Sequence, residues 1–210
     1  IGRGEFYTNF GDYNVEITVP ANHVVLASGD LVNQTEVLAQ EESERLNKAK
    51  TLDEKIVIRS AEELQKESSE EKTWKFKGKQ IRTFAWATSA SFIWEAASVE
   101  ITMLDDTTKR VLCQVGYPEE ASKVWDEGVE YLRHSIKYYS DTLYPYPWPQ
   151  MSMARGSAGG MEYPMIVFCR GSSHEGLFNV TDHEVGHNWF PMIVNTDERR
   201  HAWMDEGFNT

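Results

Sequence analysis

The chain has 210 residues, 40% apolar and 12% aromatic, enough to bury a real core. Its net charge of −12 and pI near 5.0 exclude nucleic acid and anionic membrane surfaces as natural partners. No apolar run reaches the length of a bilayer span, and Cys113 and Cys169 lack any CxxC spacing, so they read as two free, buried thiols.

The opening residues Ile1-Gly2-Arg3-Gly4-Glu5 lack a basic-then-apolar signal layout, and the chain reads as already inside a fold. Short apolar runs follow at Phe6-Tyr7, Tyr13 to Val19 and His23 to Gly29, punctuated by Pro20 and Gly29. They predict β-strands of a sheet with one wet face. Residues 36–72 change character, with eleven acidic and seven basic side chains. Thr35 to Lys50 has helical propensity, Lys55 to Arg59 is strand-like, and Ser60-Ala61-Glu62-Glu63 fits a capping box. The stretch is expected to be a solvated insertion on a β domain.

Strands resume at Thr73 to Lys77, where Trp74 and Phe76 alternate with Lys75 and Lys77, and then at Ile81 to Ala87 and Phe92 to Trp94. Ser98 to Met103 and Arg110 to Val115 give two more, joined by the polar turn Asp105 to Lys109, where a domain boundary is placed. Residues 118–139 predict a helix with acids in its first turn and a stripe of Val124, Gly128, Leu132, Ile136 and Tyr139. Tyr144-Pro145-Tyr146-Pro147-Trp148-Pro149 stops it, and its aromatics are expected in the core. Met151 to Ala154 and Met165 to Phe168 read as strands. The glycines of the intervening Gly156 to Pro164 segment let the backbone approach something closely.

The chemistry concentrates in His183-Glu184-Val185-Gly186-His187, on a helix predicted from about Leu177 to Phe190. Two histidines four apart lie one turn apart on one helix face, so both imidazoles can reach one metal ion. Glu206, nineteen residues after His187 in Trp203-Met204-Asp205-Glu206-Gly207-Phe208, can supply a third ligand. Two His and one Glu leave a position open, as in a catalytic zinc site. Glu184 is then placed to act as general base on a zinc-bound water, giving metal-assisted hydrolysis of an amide. The other histidines, His23, His134, His174 and His201, read as structural, with a supporting role beside the metal as the alternative for His201.

The order and spacing of three motifs resemble the M1 aminopeptidase family of gluzincins. These are the HExxH helix with its eighteen-residue gap to Glu206, the segment Gly159-Gly160-Met161-Glu162-Tyr163, similar to that family's GxMEN motif, and Trp203 to Phe208. The resemblance implies an α+β chain: the end of an antiparallel β domain (1–105, with the charged insertion at about 36–72), then the first half of a thermolysin-like zinc peptidase domain (106–210). It implies one zinc ion and peptide substrates with a free N-terminus, whose α-amine Glu162 would bind while Gly159, Gly160, Met161 and Tyr163 line the substrate. Tyr163 stands where the family usually has Asn, as in a bacterial branch carrying GGMEYP, which leaves specificity near the first substrate pocket open. The family's transition-state tyrosine would fall beyond Thr210, so a C-terminal part of the same protein is expected to be missing. Bacterial relatives lean towards export. A gluzincin endopeptidase and a non-catalytic, zinc-containing peptide-binding module are the alternatives.

Overall fold

The structure, a computed structural model, describes residues 8–64 and 67–209. The expected run at Phe6-Tyr7 lies outside the described residues. In chain order the first half comprises β1 (Gly11–Pro20), β2 (Val24–Ala27), β3 (Asp30–Leu31), α1 (Gln34–Val37), α2 (Gln40–Ala49), β4 (Ile56–Arg59), β5 (Glu71–Ile81), β6 (Trp86–Ser89) and β7 (Ile93–Thr102). The second half comprises β8 (Thr108–Tyr117), α3 (Ser122–Trp125), α4 (Gly128–Thr142), β9 (Gln150–Arg155), β10 (Gly160–Tyr163), β11 (Ile166–Cys169), α5 (His174–Gly186) and α6 (Glu198–Glu206).

A six-stranded sheet, ordered β10-β11-β9-β8-β7-β4, is the frame. Alternation along its strands sends side chains to two separate cores. Val111, Cys113, Val115, Met151, Met153, Val167 and Cys169 pack under Val129, Leu132 and Ile136 of α4 and Leu177 and Val185 of α5. Trp94, Ala96, Leu112, Ala154 and Ile166 face the opposite way, against Leu26, Leu46, Trp74 and Phe76. That second layer is built by the small sheets β1-β5-β3 and β2-β6 together with α2. Both cysteines are free and buried.

The sheet crosses the expected domain boundary. β7 and β8 form a hairpin paired from Ile93–Tyr117 to Thr102–Thr108, and the polar turn after residue 103 is its tip. A cut at 105/106 would separate two fully paired strands. In sequence, a hairpin tip and a linker share the same signal, a short polar run between periodic segments.

The charged stretch 36–72 also does more than face water. It contributes β4, an edge strand of the main sheet that pairs with β7, and Leu46, Ala49 and Ile58 are buried. Arg59 is buried as well, donating to Glu42 at 2.6 Å and to the Asn22 carbonyl at 2.9 Å. The sparse apolar residues Val37, Leu38 and Leu46 of this stretch are buried in the core. The helix expected over 118–139 is broken into a 3-10 turn at Glu119–Ala121, α3 and α4. In the Pro-rich run that follows, Tyr146 and Trp148 are core residues, whereas Tyr144 is 45% exposed.

Candidate metal centre

α5 begins at the Ser173 N-cap, whose hydroxyl accepts from the Gly176 amide. Leu177, Thr181, Glu184 and Val185 form its buried face. Val185 and Leu177 explain themselves as core. Glu184 does not: its carboxylate lies on the same buried face, 5% exposed.

The opposing surface is β10, the end strand of the sheet. In the β10–β11 pairing, Gly160 stands opposite Cys169 and Glu162 opposite Val167. Directly opposed residues of an antiparallel pair share a face. Cys169 and Val167 face the helix core, so Gly160 and Glu162 face α5. A Cβ built on Gly160 would land on the Glu184 carboxylate. Any side chain at this position would push the Glu184 carboxylate aside.

His183 and His187 leave the same stretch of α5 one turn apart, with their Nε2 atoms 3.2 Å from each other. Beyond His187 the chain makes a tight, π-like turn, Asn188–Ile193, and then α6 brings Glu206 back. Its Oε2 lies 3.2 Å from His183 Nε2 and 3.7 Å from His187 Nε2. Three donors bound at zinc's usual bond lengths in a tetrahedral set stand about 3.3 Å apart. The observed triangle fits that set, and the donor types, two imidazoles and a carboxylate, are those zinc takes.

Glu162, Glu184 and His187 form a second group whose ligand atoms all lie within 4.8 Å of one another. His187 belongs to both groups, so the two clusters adjoin. Glu162 is 5% exposed, and its Oε1 has no hydrogen-bond partner among the described residues. Burial pushes its carboxyl up to about 8 against the pull of His187, with the Asp205 and Glu184 charges adding to the rise.

His187 is oriented from behind. Its Nδ1 lies 2.7 Å from Asp205 Oδ1 and 3.0 Å from the Phe190 carbonyl. Either acceptor places the proton on Nδ1 and leaves Nε2 free to ligate. In the absence of metal, burial pulls the imidazolium down. The Asp205 hydrogen bond and the Glu162, Asp205 and Glu184 charges outweigh it and raise His187 to about 9.

The expected site residues divide clearly. His183, Glu184, His187, Glu206, Gly160 and Glu162 converge. Gly159 sits at the mouth in open space, its carbonyl accepting from the Arg170 amide at 2.9 Å. Met161 and Tyr163 take the other face of β10 by strand alternation, and the Tyr163 ring packs on Phe168 at 5.8 Å. His201 is exposed at a kink in α6 and makes no recorded contact with the ligand set. His23, His134 and His174 sit elsewhere, against Thr88, Tyr138 and Tyr131 respectively.

Sequence reasoning gave Asp205 no role. Its signal was present, as an acid adjacent to a ligand on the same segment. A second such residue is Asp182, just before His183, which accepts from Ser135 Oγ at 2.7 Å and from the Tyr139 hydroxyl at 3.2 Å and so ties α5 to α4.

No protein-family model matches the chain. Aminopeptidase M1 of Arabidopsis thaliana is 29% identical over 127 residues, 53% of this chain and 14% of that protein. The M1 zinc metallopeptidase of Deinococcus radiodurans shares the fold, with a TM-score of 0.60 over 96% of this chain and 39% of that one, at 19% identity. A mutant of the same enzyme, bound to a Tyr-Ser-Ala substrate, aligns with a TM-score of 0.58 over the same shares, also at 19% identity. The chain therefore spans 14% of the Arabidopsis protein and 39% of the Deinococcus structure.

Proposed function

We propose that this chain carries the metal centre of a zinc aminopeptidase of the M1 type, which removes residues from peptides with a free N-terminus. The observation that carries the reading is the convergence of His183, His187 and Glu206 in one triangle, with two buried carboxylates, Glu184 and Glu162, beside it. Sequence relatives and fold neighbours that carry the M1 name support it. Because the match covers 39% of the solved neighbour, turnover is proposed for the protein that contains this chain with the remaining length.

His183, His187 and Glu206 would hold one zinc ion. When bound, the metal supplies a Lewis acid that lowers the pKa of water towards about 7 and polarises the scissile carbonyl. Glu184 accepts the proton of the attacking water and later hands it to the departing amine. Its burial under Gly160 keeps that carboxylate away from bulk water. Asp205 holds the His187 tautomer. Glu162 receives the substrate's α-ammonium. In the metal-free chain burial raises the Glu162 carboxyl to about 8. The incoming cation would draw the proton off and form a charge-assisted hydrogen bond with the partnerless Oε1. Fixing the amine there places the first peptide bond, and no later one, beside Glu184.

An endopeptidase would need Glu162 turned away from the pocket, and its face on β10 opposes that. A binding-only module has no use for Glu184 at the metal.

The test combines zinc titration of this chain with turnover by the full-length protein. Zinc should bind, and free aminoacyl amides should be cleaved while N-acetylated ones are not. Glu184→Gln should keep zinc and lose about 100-fold to 10,000-fold in rate. His187→Ala should lose zinc altogether. Equal cleavage of both substrates removes the role given to Glu162. Unaltered turnover by Glu184→Gln removes the base.

A further inference from the structure

α6 carries the third ligand, yet it has almost no core of its own. Its buried residues are Glu198, at its first position, and Asp205, one before Glu206. Trp203 is 62% exposed, and the intervening Arg199, Arg200, His201 and Ala202 face solvent. Hydrophobic packing therefore does little to locate this helix. Two buried acids do it, and one of them, Asp205, is anchored on His187 inside the metal centre itself.

The other anchor comes from the β half. Arg82 follows β5 and is fully buried, as is Glu198, and its Nη1 lies 3.0 Å from Glu198 Oε1. The same Nη1 donates to the Pro191 carbonyl at 2.7 Å, and Nε donates to the Thr8 carbonyl at 3.1 Å. Pro191 lies in the turn between His187 and α6. One guanidinium thus holds the turn that leaves the second ligand and the start of the helix that brings in the third. Glu198 and Glu206 are eight residues apart across the kink at His201, close enough for a shift at the start to displace the ligand at the end. The planar, forked guanidinium can meet three acceptors in fixed directions, which an ammonium cannot.

We propose that Arg82 is a positioning residue for the metal centre: through Glu198 and the Pro191 carbonyl it sets where α6 delivers Glu206. The assignment rests on the zinc site proposed above.

The experiment uses this chain, with zinc affinity from chelator competition and the visible absorption spectrum of the cobalt(II)-substituted protein. Neither readout requires turnover. The double variant Arg82→Met with Glu198→Met removes both buried charges together, which preserves stability far better than removing one. It should melt close to the parent chain, bind zinc at least tenfold more weakly and show an altered cobalt spectrum. Arg82→Lys keeps the charge and loses the fork. It should weaken zinc severalfold with little change in melting temperature, and it decides the matter if the double variant does not fold. Parental zinc affinity and cobalt spectrum in a folded variant overturn the role of Arg82. A parent chain that binds no zinc overturns the functional reading instead, a separate and distinguishable outcome.

Discussion

α5 and α6 supply the residues of the proposed metal centre, but they are built differently. α5 lies across the sheet with Leu177, Thr181, Glu184, Val185 and Gly186 buried, and Asp182 bonds it to α4. α6 rests on two polar contacts, Arg82–Glu198 and His187–Asp205. His187 is 1% exposed on its side chain, whereas the Glu206 side chain is 56% exposed. The two proposed histidine ligands and the proposed base therefore ride on a packed element, and Glu206 rides on an element located by directional polar contacts. Polar anchors fix an angle where apolar packing fixes a depth. They also fail at once when one partner is removed, because the remaining buried charge is left unpaired.

The sharpest way to probe the packed side is Gly160→Ala. Its methyl would occupy the space of the Glu184 carboxylate, with the Val180 side chain 3.2 Å away on the other side. Zinc binding should survive, while hydrolysis by the full-length protein should fall nearly as far as in Glu184→Gln, about 100-fold or more. Activity close to the parent would show that α5 can yield, and the contrast between the helices would weaken.

On the α6 side, Asp205→Asn keeps size and one acceptor for His187 Nδ1 but removes the charge. Loss of such an outer partner costs roughly 10-fold to 100-fold in metal affinity. Zinc titration should show that drop, with the base function intact at saturating zinc. Unchanged affinity would mean that the Phe190 carbonyl alone suffices to orient the ring.

The smallest effect concerns pH. In the metal-free chain Glu162 rises from 4.5 to about 8 and His187 from 6.5 to about 9. The native state therefore holds protons that the unfolded chain has already released. Their contribution is complete below the unfolded values and is lost as pH climbs through the folded ones, so stability falls between about pH 5 and 9. A zinc ligand must be the neutral imidazole, so metal binding expels the His187 proton in this window and strengthens with pH. Melting temperatures in chelator and in zinc should diverge from pH 6 to pH 8.5. A constant gap would show that His187 carries no proton in the metal-free state.

Several of the fold's elements were legible from local patterns. β5 shows its alternation in Trp74, Lys75, Phe76 and Lys77, and α5 shows its register in the two histidines. The boundary drawn at 105/106 fell on a hairpin tip because a turn looks the same whether it separates domains or strands. The strand at Lys55 to Arg59 was legible within the charged stretch, but its membership of the main sheet was not, because that depends on a partner some forty residues away. Tyr163 was grouped with the substrate-lining residues by motif, but a period of two sends it to the face opposite Glu162.

The sequence alone determined the pairing of His183 with His187, because a helix repeat of 3.6 residues joins positions four apart whatever surrounds them. It also determined that Glu184 would lie beside the pair and that a later acid could complete the set. Only the tertiary structure brought Asp205 against the His187 ring, Gly160 over the Glu184 carboxylate and Arg82 to Glu198 at the start of α6. Each of these depends on segments brought together by the packing of the six-stranded sheet. A contact spanning over a hundred residues, as between Arg82 and Glu198, leaves no periodic trace in the chain that makes it.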